Sequence, residues 1–279
     1  MSRALSAVDF ANRNMNTKPV ERPADMAPLT REGAVAVIRL NYPARRNAFG
    51  MQMRTQLRER LREAMADGEL RAVVITGEGG HFCAGGDISE MAKRSLLQNR
   101  ERWNIVVDLI RLIAAGPKPV VTAVEGSAMG AGFSIAVLGD YLVCARDAKF
   151  GAAFARMGLM PDMGALWSLQ HRVGRAKARE ILTLARPFDG VEAHRIGLAN
   201  ELAEPGEALA RAMAVAQEYA ALPPVTMALL KSALAQGVDS LEAAIRSETD
   251  LQAVAMGTAD HAEAVRAFME KRPPTFTGA

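Results

Sequence analysis

The order of elements in the first half of the chain constrains the fold more than any other feature. Four short runs of β-branched or small apolar residues, Ala34–Leu40, Arg71–Thr76, Pro119–Val124 and Tyr141–Cys144, alternate with helical periods. The first period, from Met51 to Met65, puts Met53, Leu57, Leu61, Ala64 and Met65 on one face and ends at Asp67-Gly68. A second puts Trp103, Val106, Val107, Ile110 and Ile113 on its buried side and stops at Gly116-Pro117. A third, built of small residues, runs from Met129 to Leu138. Strand, glycine-rich turn, helix, repeated in this way, specifies α/β architecture.

After Gly206 only helical periods remain: Ala208–Ala221, Pro224–Ala235, Leu241–Met256 and Asp260–Lys271. The chain thus divides into a polar, proline-bearing tail over residues 1–28, an α/β core over 29–205, and a helical region over 206–279. Such a helical region commonly packs against the core or a sister subunit. The 279 residues, 49% hydrophobic and 23% charged, can bury a sizeable core. A net charge of +3 with no long basic block gives no footprint for nucleic acid, and an anionic small ligand serves equally well. Two cysteines, Cys83 and Cys144, imply no disulfide framework and a reducing, cytoplasmic compartment. The four histidines are scattered, so no metal site is expected. The apolar run from Ala128 to Val137 is too short to span a bilayer, and the N-terminus lacks the apolar stretch of a signal peptide.

Two glycine-rich segments follow buried strands: Gly77 to Ile88 and Glu125 to Phe133. Glycine lets backbone turn sharply and approach a ligand closely, and helix N-termini present unpaired N–H groups. Two such turns converging on one point could hold an oxyanion. Either turn alone is better explained as a tight strand–helix connection, since glycine punctuation is common. The spacing Gly126-x-x-x-Gly130-x-Gly132 does not match a dinucleotide fingerprint.

A third segment, Phe150 to Gly164, contains Asp162 as its only carboxylate among Met, Phe and Leu, with Trp167 just beyond. Two roles are open. In a pocket, desolvation would raise its pKa toward values useful for proton transfer. Alternatively, Asp162 caps the helix that begins near Met163, since Asp is a preferred N-cap. The Met-rich stretch has the same ambiguity between core and adaptable pocket wall.

Together these segments resemble the crotonase, or enoyl-CoA hydratase/isomerase, superfamily from about Gly33 to the C-terminus. The resemblance is carried by Arg46-Asn47-Ala48, Phe82-Cys83-Ala84-Gly85-Gly86-Asp87, Gly126 to Gly132 with Asp140 following, Gly158-Leu159-Met160-Pro161-Asp162, and Phe268 to Arg272 with Pro274 and Phe276. It implies a repeated ββα spiral, C-terminal helices that trimerise, a homotrimer or dimer of trimers, and acyl-CoA thioester substrates, with CoA entering as part of the substrate and no separate cofactor. It further implies an oxyanion hole from the N–H groups of Gly86 and Ala131. Ala48, Ala84, Asp87 and Ile88 would line the substrate path, and Arg45 would sit near the CoA phosphates.

The hydratase pattern uses two glutamates, and by position these sites are Ser134 and Phe154. Neither can act as a carboxylate acid or base. Asp162 remains, at the position where superfamily isomerases shuttle a proton. The stretch from Phe154 to Gly164 is most similar to the ring-epoxide phenylacetyl-CoA isomerase type. The expectation is therefore an isomerase with Asp162 as catalytic acid/base. The alternatives are a hydratase using another carboxylate, such as Glu78 or Glu90, and a CoA-thioester binding protein without catalysis.

Overall fold

A computed structural model of the protein describes residues 21–91, 95–237 and 240–279; of the tail expected over 1–28, residues 1–20 lie outside the described residues. The first half contains β1 (Leu29–Glu32), β2 (Val35–Leu40), α1 (Met51–Ala66), β3 (Ala72–Gly77), α2 (Leu96–Ala115), β4 (Val120–Val124), β5 (Ser127–Met129) and α3 (Ala131–Leu138). There follow β6 (Tyr141–Ala145), β7 (Lys149–Gly151), α4 (Ala165–Leu184), β8 (Phe188–Asp189), α5 (Gly190–Arg195) and β9 (Glu201–Ala203). Four helices close the chain: α6 (Ala208–Ala220), α7 (Pro224–Gln236), α8 (Leu241–Met256) and α9 (Ala259–Glu270).

The main sheet has the order β1-β2-β3-β4-β6-β9, parallel throughout except for β1, which pairs antiparallel with β2. Its strands are apolar on both sides because both faces are covered. Ala36, Ile38, Val73, Ile75 and Leu142 face Met53, Leu57 and Leu61 of α1 together with Val106, Leu109 and Ile113 of α2. Val35, Val37, Ala72, Val74, Val121 and Val143 face Ala208, Ala212, Met213 and Ala216 of α6. The helical stretch after Gly206 thus begins with a helix that belongs to the core. Glu125, from the turn after β4, holds that helix by accepting from the amides of Gly206 (3.1 Å) and Ala208 (2.9 Å).

A smaller sheet, β5-β7-β8, lies above the strand ends. Two isolated bridges, Cys83 with Ala128 and Phe49 with Gly86, extend it toward the glycine turns. Strands of two or three residues are too short to carry an alternating pattern, which is why β5, β7, β8 and β9 have no sequence signature. The third helix begins at Ala131, two residues later than its period suggests, because Ser127–Met129 pair with Lys149–Gly151. In α2, Val106 and Ile113 are buried as expected, but Trp103 and Val107 are 43% and 39% exposed. The core contact they were expected to make is taken by Leu109.

Lys231 of α7 is buried, and its ammonium group donates to the carbonyl of Ile113 (2.9 Å) and pairs with Asp140. Asp140 in turn accepts from the amide of Val120 (2.7 Å), so one ion pair ties α7 to the start of β4. The C-terminal residues fold back onto α9, where buried Asp260 accepts from the amides of Thr277 (2.7 Å) and Gly278 (2.9 Å). No helix among the described residues is long and apolar enough to cross a membrane.

Candidate active site

The first turn is built around Asn47, fully buried at φ 58°. Its side-chain oxygen accepts from the Tyr42 amide (2.8 Å), and its Nδ2 donates to the carbonyls of Glu78 (2.9 Å) and His81 (2.6 Å). An asparagine tolerates this left-handed backbone and satisfies three groups that the turn would otherwise orphan. The segment after it runs alongside the first glycine turn, with the Ala84 amide donating to Arg46 (2.8 Å) and the Phe49 amide to Gly85 (2.7 Å).

The second turn is laced to the first. The Cys83 amide donates to the Ser127 carbonyl (2.8 Å), and the Met129 amide donates to the Cys83 carbonyl (2.9 Å). Gly85 (φ 105°) and Gly130 (φ 51°) adopt backbone that side chains avoid, and a Cβ on Gly85 would lie 3.0 Å from the Met129 carbonyl oxygen. A Cβ on Gly132 would lie 2.5 Å from the Cys83 carbonyl oxygen. Glycine at these positions is what lets the turns touch. Gly86 follows one contact point, and Ala131, the first residue of α3, follows the other. Neither amide donates to an acceptor among the described residues.

A cavity of about 270 Å³ opens beside this junction. It is lined by Phe49, Arg54, Gly86, Asp87, Glu90, Met91, Asn99, Arg102, Trp103, Leu159 and Asp162. Asp162 does not cap α4. The cap position is Gly164 at φ 80°, with no side-chain hydrogen bond, and only the backbone carbonyl of Asp162 bonds to the helix, accepting from Ala165 (3.1 Å). The helix-cap preference is overridden because Met163, at φ 51°, turns the chain once more before the helix starts. A non-glycine residue in that region stores strain, and here the strain lies next to the carboxylate. The Oδ1 atom of Asp162 is buried without a hydrogen-bond partner among the described residues. Burial pushes its pKa up, and the Arg54 guanidinium opposes that shift.

Of the residues singled out from sequence, Gly86, Asp87 and Asp162 line the cavity together. Asp87 pairs with Arg22 (3.0 Å) and accepts from the amide and hydroxyl of Ser89 (3.0 and 2.6 Å), so its oxygens are engaged. Ala131 and Ser134 are buried in the first turns of α3, where the Ser134 hydroxyl donates back to the Gly130 carbonyl (3.3 Å). Phe154 is buried and its carbonyl accepts from Met157 and Leu159, which folds the loop carrying Leu159 over the cavity. Arg45, Ala84 and Ile88 are exposed and Ala48 is half-buried, and none of the four, nor Ala131, is among the residues lining the cavity. Of the Met-rich stretch left open between core and pocket wall, Met157 and Met160 are neither, at 58% and 72% exposed, while Met163 joins the core.

The two carboxylates weighed as alternatives separate cleanly. Glu78 is exposed, 3.8 Å from Arg39, and does not line the cavity. Glu90 does, but its oxygens accept from Arg22 (2.9 Å) and from the amide of Met51 at the start of α1 (2.8 Å), with Arg102 at 3.6 Å. Arg54 and Arg102 were not singled out from sequence, and Trp103 was read only as a buried position of its helix. Arginines on an amphipathic helix read as solvated, and nothing local distinguishes the one that a neighbouring turn will cover.

The sequence model of the family described as enoyl-CoA hydratase/isomerase matches residues 30–279. The chain is 35% identical over 254 residues to 1,2-epoxyphenylacetyl-CoA isomerase of Escherichia coli, covering 88% of this chain and 96% of that protein. It is 32% identical over 246 residues to short-chain-enoyl-CoA hydratase of Clostridium acetobutylicum, covering 88% and 94% respectively. Among solved structures, an enoyl-CoA hydratase from Polaromonas sp. JS666 superposes with a TM-score of 0.85 at 33% identity, covering 90% of this chain and 99% of that one.

Proposed function

Given that the chain belongs to the enoyl-CoA hydratase/isomerase family, enzymes that act on CoA thioesters, we propose that it is an isomerase that moves a double bond along an acyl chain. Asp162, as carboxylate, takes a proton from an acyl carbon activated by the thioester, and the C–H electron pair passes into a dienolate. The negative charge collects on the thioester oxygen, where the N–H groups of Gly86 and Ala131 receive it. A preorganised donor of this kind is worth roughly 3–4 kcal/mol in the transition state. The carboxylic acid then returns the same proton further along the chain, and the electrons close into the shifted double bond. One residue serves as base and then acid because the cavity keeps competing water away from it.

The observation that carries this reading is the buried, unpartnered Oδ1 of Asp162 in the cavity that Gly86 also lines. An unsatisfied buried carboxylate costs stability, and a pocket that tolerates one has a use for it. Hydration would need a second carboxylate free to hold water. Ser134 and Phe154 supply none, and the oxygens of Glu90 are already bonded. The substrate brings CoA with it and the proposed chemistry asks for no other cofactor. Arg45, Ala48, Ala84, Asp87 and Ile88 are read as the path of the CoA arm, and the exposed apolar side chains of α7 to α9, including Leu234, Phe268 and Met269, as a surface covered in a homotrimer or dimer of trimers.

A panel of CoA thioesters followed by mass spectrometry for hydration, double-bond shift and ring opening tests the proposal, with Asp162→Asn alongside. The expected result is double-bond migration by the wild type, abolished in the variant while thioester binding persists. Unchanged turnover by Asp162→Asn, or hydration as the dominant activity, would overturn it.

A further inference from the structure

We infer that Arg54 is a specificity-determining residue of this cavity, selecting acyl groups that carry a second oxygen acceptor close to the thioester over plain hydrocarbon chains. The inference rests on reading the cavity as the acyl-thioester site. Arg54 stands in the first turn of α1, its Nε donating to the Phe49 carbonyl (3.3 Å) and its guanidinium lying 5.2 Å from the centre of the Phe49 ring. These contacts fix the plane of the group. Its two terminal amino groups meet no acceptor among the described residues, although the side chain is half-buried and lines the cavity.

The other charges of the cavity are accounted for. Asp87 and Glu90 share Arg22, and Arg102 approaches Glu90. Asp162 lines the same cavity as Arg54, and the two feel each other's charge without forming an ion pair. The terminal donors of Arg54 are therefore left without a protein acceptor at the wall of this cavity, and Gly86 marks their place along the acyl chain: a Cβ built there would lie 4.0 Å from Nη2. An oxygen that meets Arg54 belongs to an acyl carbon only a few bonds from the thioester carbonyl. A saturated or simply unsaturated hydrocarbon chain would strip water from the guanidinium and return no hydrogen bond, which penalises it. A ketone, hydroxyl, ether or carboxylate oxygen would accept one or two charge-assisted bonds from the planar fork.

The test is equilibrium binding of four-carbon CoA thioesters to the full chain: butyryl-CoA as the hydrocarbon reference, 3-hydroxybutyryl-CoA and acetoacetyl-CoA with a neutral oxygen, and succinyl-CoA with a carboxylate. The wild type is expected to bind at least one oxygen-bearing thioester about tenfold or more tightly than butyryl-CoA. Which arm responds tells neutral oxygen from carboxylate. Arg54→Met should bring that ratio to about one, and Arg54→Lys should keep only part of it because a point charge replaces a fork. A wild-type ratio near one overturns the inference, as does the full ratio surviving in Arg54→Met. If Arg54→Met does not fold, the wild-type ratio and Arg54→Lys decide. Failure of the proton-shuttle reading would appear separately, as unchanged turnover in Asp162→Asn with these ratios intact.

Discussion

Asp162 sits between two opposing influences, desolvation that raises its pKa and the Arg54 charge that lowers it, and the balance has consequences that can be measured. A base must be ionised, so activity should fall on acidification through a pKa above the ordinary aspartate value of about 3.9. Replacing Arg54 with Met removes the influence that lowers the pKa, and the acid limb of the pH profile for kcat/KM should then move to higher pH. A limb that stays put or moves down would show that the two groups are not coupled. Asp162→Asn should lower kcat by about 10² to 10⁴-fold, the range for a positioned acid/base, with thioester affinity changed only a few-fold. The same substitution should also stabilise the protein. A carboxyl whose folded pKa is raised favours the fold at low pH and opposes it once pH exceeds the folded pKa, so at neutral pH the neutral amide removes a burden. An increase in Tm of a few degrees in thermal unfolding at pH 7 would bear this out, and a decrease would contradict it.

The two glycine turns function as one element, since neither would hold its shape without the other. Gly132→Ala puts a methyl group 2.5 Å from the Cys83 carbonyl oxygen and 2.6 Å from the Cys83 Cβ, so the turns must separate. A loss of about 1–3 kcal/mol in urea unfolding is expected, together with a fall in kcat larger than any change in thioester affinity. Much of this element was legible in the sequence. The β-branched runs that became β2, β3, β4 and β6 and the glycine clusters after them carry their own signals, as does the helical period of α1. What was hidden depends on contacts between distant segments. Asp162 reads locally as a helix cap, and only the positive φ of Met163 and Gly164 withdraws it from that role. Arg54 reads as one more polar position beside Met53, and its cavity wall comes from Phe49 and Gly86. Trp103 obeys the helical period yet faces the cavity, because periodicity gives the angle of a side chain and not what stands opposite.

At the scale of the molecule, the sheet is a platform that brings the turns of Gly85-Gly86 and Gly130-Ala131 together and opens beside them a cavity lined by residues 86 and 162. Its integrity reaches into the C-terminal helices through buried Lys231 and its partner Asp140. Lys231→Ala removes the buried lysine's bonds to Ile113 and Asp140 but leaves Asp140 reachable by water, so it should cost about 1–3 kcal/mol in denaturant unfolding. The homotrimer or dimer of trimers proposed to cover the exposed apolar faces of α7 to α9 would have a sedimentation mass three or six times that of the 29.9 kDa chain, reduced by Phe268→Asp. The central claim is that main-chain amides receive the enolate charge while one carboxylate moves the proton. Its most direct test is a crystal structure of Asp162→Asn with a bound enoyl-CoA. The account predicts the thioester oxygen within about 2.7–3.1 Å of both the Gly86 and Ala131 nitrogens, and the residue 162 side chain against the acyl carbons. A thioester oxygen bonded elsewhere, or a residue 162 side chain turned away from the acyl chain, would contradict it.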